Sequence, residues 1–89
     1  MEAKMKLKIV TKTVSGTPEE DETTIVIETN SIVRAGAFIR DKVWAFNERE
    51  PNDIVDRVVS IEKDGVVEVL DEKDWDVKAI KWLEANDWY

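Results

Sequence analysis

The chain has 89 residues and a formal net charge of −7, from 20 acidic and 13 basic side chains. Its apolar fraction of 43% and charged fraction of 37% are typical of one folded domain rather than of a disordered segment. It contains no cysteine and no histidine, which excludes disulfides, zinc thiolate sites, thiol catalysis and a histidine general base. Because no apolar run approaches the roughly 20 residues of a membrane span and no signal peptide is visible, we expect a cytoplasmic protein without a membrane partner.

The charge is distributed unevenly. Four lysines and one acid, Lys4, Lys6, Lys8, Lys12 and Glu2, give residues 1–14 a charge of +3, so the remaining 75 residues sum to −10. Binding to a nucleic-acid backbone requires clustered cations, and alternating lysines on one strand are more typical of a solvated face or a protected sheet edge. We therefore do not expect direct nucleic-acid binding.

Apolar and basic residues alternate over 4–14, which predicts a half-buried strand with Leu7 and Ile9 on the inner face. Beyond Ile9 the apolar positions shift from odd-numbered to even-numbered residues, Val10 and Val14, which changes the parity of the inner face. We therefore expect a bulge or a strong twist near this point. The acidic stretch 15–22 predicts a solvated loop, and β-branched residues over 23–29 predict a second strand that forms a hairpin with the first. Ile25 and Ile27 are expected on one face of that strand.

A helix is predicted next, because Asn30 and Ser31 favour an N-cap and the period changes to that of a helix. It should end near Asn47 or Glu48, before Pro51. Its apolar stripe consists of Ile32, Ala35, Ile39, Val43 and Phe46, widened by Phe38. Gly36 costs roughly 1 kcal/mol relative to alanine inside a helix, so we expect it to allow close approach of the sheet.

The second half begins with a predicted strand over 54–62. A two-residue Asp64-Gly65 turn would place Ile61 opposite Glu68. A three-residue loop over 63–65 instead pairs Ile61 with Val67 and Val59 with Val69, and Ser60 with Glu68 on the wet face. Because register follows the hydrophobic face, we predict the three-residue loop, with Gly65 left-handed in a G1 bulge.

The last segment, residues 71–89, predicts a helix capped by Asp74 or Asp71, with Trp75, Ala79 and Trp82 on its inner side. A short strand over 75–77 followed by a helix from Ala79 is the alternative. The predicted fold is a single α+β domain over 1–89, of order ββαββα, in which an antiparallel sheet carries both helices on one face. Residues 1–3 and 87–89 are expected to fray.

The candidate partner site combines aromatic and acidic side chains, namely Trp44, Trp88, Tyr89, Asp74, Asp76, Glu84 and Asp87. Trp88 and Tyr89 follow the expected helix end and are the rings that core packing explains least well. For Trp44 we favour packing at the sheet edge or under the last helix; the alternative is exposure beside Arg40. The carboxylates at 71, 72, 74 and 76 lack EF-hand spacing and predict capping and a solvated face, so we expect no metal and no cofactor.

These features favour a small, acidic, non-catalytic interaction protein. It would bind a protein partner, or a second copy of itself, through the aromatic and acidic surface, as an inhibitor or regulator of the kind phages and mobile elements encode. Mimicry of nucleic acid by ordered carboxylates is one possible mechanism. The alternative is a small-ligand or enzymatic domain whose pocket is lined by Trp44, Trp82 and carboxylates. Isolated glycines and serines form no catalytic motif, so no catalytic residue is predicted.

Overall fold

The structure is a computed structural model that describes residues 6–14, 24–51 and 53–88. The elements are β1 (Leu7–Val14), β2 (Thr24–Thr29), α1 (Ile32–Asn47), β3 (Val55–Lys63), β4 (Val66–Val69) and α2 (Trp75–Ala85). The strands form one antiparallel sheet in the order β2-β1-β3-β4, and both helices pack on one of its faces. The predicted fold class is confirmed. The predicted loop over 15–22 lies outside the described residues.

Strand β1 keeps a single alternation, so the predicted change of parity is wrong. Leu7, Ile9 and Thr11 are all buried under the helices, and the Thr11 hydroxyl donates to the carbonyl of Ile25 at 3.3 Å. A bulge is present at the predicted position, because the register between β1 and β3 shifts after Val10. Its extra residue is Val59 on β3, which leaves the alternation of β1 intact.

Helix α1 forms as its sequence predicts. The Ser31 hydroxyl accepts a hydrogen bond from the amide of Arg34 at 3.2 Å, and the helix ends at Asn47. Ala35, Ile39 and Val43 are buried against the sheet, so the predicted stripe is the packing face.

An ion pair also joins α1 to the sheet. Lys42 Nζ lies 2.8 Å from Asp56 Oδ2, and the Thr13 hydroxyl donates to Asp56 Oδ1 at 3.0 Å. Burial alone would raise the pKa of the Asp56 carboxyl, but the two hydrogen bonds and the Lys42 charge outweigh it, so the pKa lies below its ordinary value of 3.8. The carboxylate is therefore the stable form in the fold.

The last segment is helical from Trp75, which decides against a strand over 75–77. Trp75 is fully buried and its ring meets Phe46 edge-on, with centroids 5.1 Å apart. Since this contact joins the start of α2 to the end of α1, the helices run antiparallel. Asp74 occupies the N-cap position, but its side chain makes no capping hydrogen bond. Asp71 instead lies 3.5 Å from Lys78.

The predicted three-residue loop between β3 and β4 is wrong. Lys63 pairs with Val66 and Ile61 with Glu68, which leaves a two-residue Asp64-Gly65 turn. Both turn residues have positive φ, 52° and 86°, as a type I′ turn requires. Matching apolar residues across the two strands does not determine the register here, because all of β4 is exposed and buries no face. Turn chemistry therefore sets the register.

Candidate functional site: the helix-face patch

The chain turns sharply at the end of α2 and brings Trp88 back onto α1. The amide of Trp88 donates to the carbonyl of Leu83 at 2.9 Å, and the amide of Asp87 donates to the carbonyl of Glu84 at 3.2 Å. With Asp87 left-handed at a φ of 57°, these bonds form a Schellman motif. The helix end is therefore ordered by its own carbonyls, and it aims the last described ring at the neighbouring helix.

The indole of Trp88 covers Gly36. Its Nε1 donates to the carbonyl of Val33 at 3.2 Å, and a Cβ at position 36 would lie well inside 3.0 Å of three ring atoms. The expectation that Gly36 allows close approach of the sheet is therefore wrong, because a side chain from the end of α2 occupies that space. Trp88 is half-buried, and Tyr89 lies outside the described residues.

Trp44 is 66% exposed, so the favoured prediction that it packs at the sheet edge or under α2 is wrong. It stands on the outer side of α1, one position beyond the buried Val43. There it lines a groove of about 270 Å³ between the two helices. The groove residues are Arg40, Val43, Trp44, Asn47 and Ile80. Together with Trp88 they form what we call the helix-face patch.

Arg40 connects the two tryptophans of this patch. Its guanidinium carbon lies 5.8 Å from the centroid of the Trp88 ring, within the range of a cation–π contact. It also lines the groove beside Trp44. The patch thus presents an apolar floor, an exposed indole and a cation held over a second indole. Tryptophan and arginine are over-represented among binding hot spots.

The predicted acidic residues do not gather around the rings. Asp74 and Asp76 lie at the start of α2, whereas Glu84 and Asp87 lie at its other end. At a rise of about 1.5 Å per residue, the two pairs are separated by roughly 12 Å or more. Among the described residues, no group of three or more acidic side chains is arranged to hold a metal ion. The structure therefore places two of the predicted rings beside Arg40 and does not gather the predicted carboxylates.

A second groove, of about 520 Å³, lies between β4 and α2. Trp82 contributes to its wall but is almost fully buried, and Val66 and Glu68 face it from β4. Lys63 Nζ donates to Asn86 Oδ1 at 2.6 Å along the groove. Trp44 and Trp82 thus belong to different grooves rather than to one pocket.

Ile80 and Asn47 are the patch residues that the sequence analysis missed. Ile80 follows the predicted inner residue Ala79, is half-buried and forms part of the groove wall. A signal for the patch does exist in α1, because Val33, Ala37, Arg40 and Trp44 follow at spacings of four, three and four. These spacings define a second, outward stripe with an apolar residue at each end.

Comparison with known proteins gives no relative from which a role could be transferred. No protein-family model, curated protein or solved structure matches the chain. Within the part of the chain that the structure describes, no helix is both long and apolar enough to cross a membrane. The function must therefore be argued from the surfaces themselves.

Proposed function

We propose that this chain is a non-catalytic interaction protein, an inhibitor or regulator of the kind that phages and mobile elements encode, and that its partner protein docks on the helix-face patch. The observation that carries the proposal is the 66% exposure of Trp44 beside an apolar groove. A large ring held at the surface gains nothing for the core, whereas it offers a rigid contact to a partner at little entropic cost.

The surroundings of Trp44 support this role. Val43 and Ile80 provide a groove that can receive one apolar side chain of the partner. Arg40 and Asn47 on the same groove offer hydrogen-bond donors to partner carbonyl or carboxylate oxygens. Since Arg40 also contacts the Trp88 ring, its guanidinium is held in place before binding, which lowers the entropy that docking removes.

The experiment places a photoreactive aromatic amino acid at position 44 and, as a matched control, at position 66. Val66 is 73% exposed but lines the groove between β4 and α2, so it reports on a different surface. The partner cross-linked from position 44 is then purified and its affinity is measured for wild type, Trp44→Ala and Val66→Ala. We expect Trp44→Ala to weaken binding by about 2 kcal/mol, roughly 30-fold, with little effect of Val66→Ala.

Equal affinity of wild type and Trp44→Ala would refute the patch as the docking site. Loss of binding in Val66→Ala alone would move the docking site to the groove between β4 and α2. The salt dependence of the same complex tests mimicry, since binding dominated by carboxylates weakens steeply as ionic strength rises. Because the acids lie at opposite ends of α2, we expect only a shallow salt dependence.

A further inference from the structure

The face of the sheet opposite the helices carries a row of three valines and one serine. The strand register places Val26, Val10, Ser60 and Val69 side by side across all four strands. Their alternation with the buried Ile9, Ile61 and Leu70 puts them on the face that neither helix covers. Val26 and Val69 are exposed, as is Val67 on the same face. We call Val26, Val10, Ser60 and Val69 the valine row.

Charged side chains flank the valine row on both sides. On one side the register aligns Glu28, Lys8 and Glu62; on the other it aligns Thr24, Lys12 and Arg57. With Lys6, which lies 3.8 Å from Glu28, the described residues of this face carry four cations and two acids, a charge of +2 within a chain of −7. Because this face carries charges of both signs, two copies can form opposite-charge pairs across it.

We propose that two copies of the chain pair through this face, related by a twofold axis that runs along the valine row. This inference concerns a different surface from the helix-face patch and does not depend on it. The rotation keeps each strand over its counterpart and reverses the strand direction. Valine then faces valine along the row, and Glu62 of one copy faces Arg57 of the other, twice in the dimer. A closed, isologous dimer results.

The arrangement also improves the surroundings of Arg57. One of its guanidinium nitrogens, Nη1, is shielded from solvent and has no hydrogen-bond partner among the residues that the structure describes. Buried donors of this kind are rare in native structures, and a change of rotamer towards the facing Glu62 would supply a carboxylate acceptor. Lys8 lies over Lys12 of the other copy, but Glu28 and Glu62 flank Lys8 in its own sheet and offset that repulsion.

The size of the face sets the expected strength of the dimer. Each strand residue covers about 16 Å² of a flat sheet. The four strands therefore offer roughly 430 Å² per copy and about 860 Å² in the pair, without the extra area of protruding side chains. Stable interfaces bury about 1,200–2,000 Å² in total. The dimer is accordingly weak and concentration-dependent, with a dissociation constant above about 1 µM.

Sedimentation velocity over a range from about 5 µM to about 1 mM tests the proposal on the full chain. Val69→Lys places a charge in the valine row, whereas Val66→Lys places the same charge on the other face of the same strand. The two valines are 70% and 73% exposed, so neither variant disturbs the core. We expect Val69→Lys to weaken the dimer by at least about tenfold and Val66→Lys to leave it within about threefold of wild type.

Charge exchange tests the axis. Glu62→Arg and Arg57→Glu should each weaken the dimer by about tenfold, and the double variant should restore it, because the facing pairs are re-formed with opposite polarity. If net charge alone governed association, Glu62→Arg would instead strengthen it. Circular dichroism confirms folding of each variant. If Arg57→Glu does not fold, the single variants Glu62→Arg and Val69→Lys still test the proposal. A wild type that remains monomeric, equal effects at positions 66 and 69, or a double variant without recovery would each overturn the proposal.

Discussion

Replacing Gly36 by alanine tests the packing of Trp88 directly. At an ordinary helix interior this substitution stabilises by roughly 1 kcal/mol, because alanine loses less backbone entropy than glycine. Here the new methyl group would fall on the indole of Trp88, well inside 3.0 Å of three ring atoms. Either the ring leaves its place or the helix end moves, and both outcomes cost free energy.

The expected loss of stability follows from the buried area and the hydrogen bond that the Trp88 ring would lose. A tryptophan buries about 150–250 Å² when fully covered, so a half-buried ring gives up roughly 100 Å², worth about 2.5 kcal/mol at 25 cal/mol per Å². Loss of the hydrogen bond from Trp88 Nε1 to Val33 adds about 1 kcal/mol. Against the gain of roughly 1 kcal/mol in helix propensity, Gly36→Ala should lower the free energy of unfolding by about 2.5 kcal/mol.

Urea unfolding followed by far-ultraviolet circular dichroism measures this change without relying on tryptophan emission. With a slope of about 1–2 kcal/mol per M for a domain of this size, the midpoint should fall by roughly 1.2–2.5 M. The matched control is the same substitution in a Trp88→Ala background, where the space is free and Gly36→Ala should stabilise by about 1 kcal/mol. Stabilisation in both backgrounds would refute the contact between Gly36 and Trp88.

Three further substitutions test the ion pair, the turn and the patch. Asp56→Asn should cost about 1–3 kcal/mol in urea unfolding at pH 7. Since the folded pKa of Asp56 lies below its unfolded value of 3.8, this contribution is present above the unfolded pKa and is lost as pH falls through the folded pKa, so the difference in stability between wild type and variant should shrink as the pH is lowered below 3.8. Gly65→Ala should cost about 1–2 kcal/mol through its positive φ alone, because no atom of the described residues lies within 4 Å of the added methyl. A smaller cost for Gly65→Asn would confirm that cause. Trp44→Ala should change the free energy of unfolding by less than about 0.5 kcal/mol, and a larger loss would show that the ring serves the core.

The elements that bury a face were predictable from the sequence. Leu7 with Ile9 and the stripe of α1 carry the periods of a strand and a helix, because burial on one side selects apolar residues at those spacings. The bulge lies where it was predicted, but the parity change from which it was predicted does not occur, because its extra residue belongs to β3. A period seen in one strand does not say which of two paired strands carries the insertion.

Strand β4 shows where the same reasoning fails. Its valines suggested an inner face and therefore a three-residue loop, yet every residue of β4 is exposed. With no burial to enforce a register, Asp64-Gly65 adopts the turn that its own backbone preferences favour. Apolar residues indicate a core only when another layer exists to cover them, and α2 does not extend over this strand far enough to close the groove beside it.

The patch could be predicted only in part for a related reason. Trp44 was identified as a residue off the main stripe, but its exposure depends on where α2 crosses α1, which the sequence of α1 does not contain. Trp88 was assigned to a free end because Asp87 is a poor signal for a left-handed residue, a position that glycine usually occupies. The Schellman turn is seen only in the backbone conformation. The same conformation places the Trp88 ring on Gly36, where a larger residue would clash with it.

The two proposed surfaces lie on opposite sides of the domain, and this constrains any assembly they form. A dimer through the sheet faces leaves both helix layers on the outside, so its two helix-face patches point away from each other. With packed layers about 10 Å apart, the patches lie roughly 40 Å from one another. One small partner domain cannot contact both, so the dimer would hold two partners, or two sites of a repetitive one. In that second case even a weak dimer would raise the apparent affinity, because the second contact forms at high effective concentration.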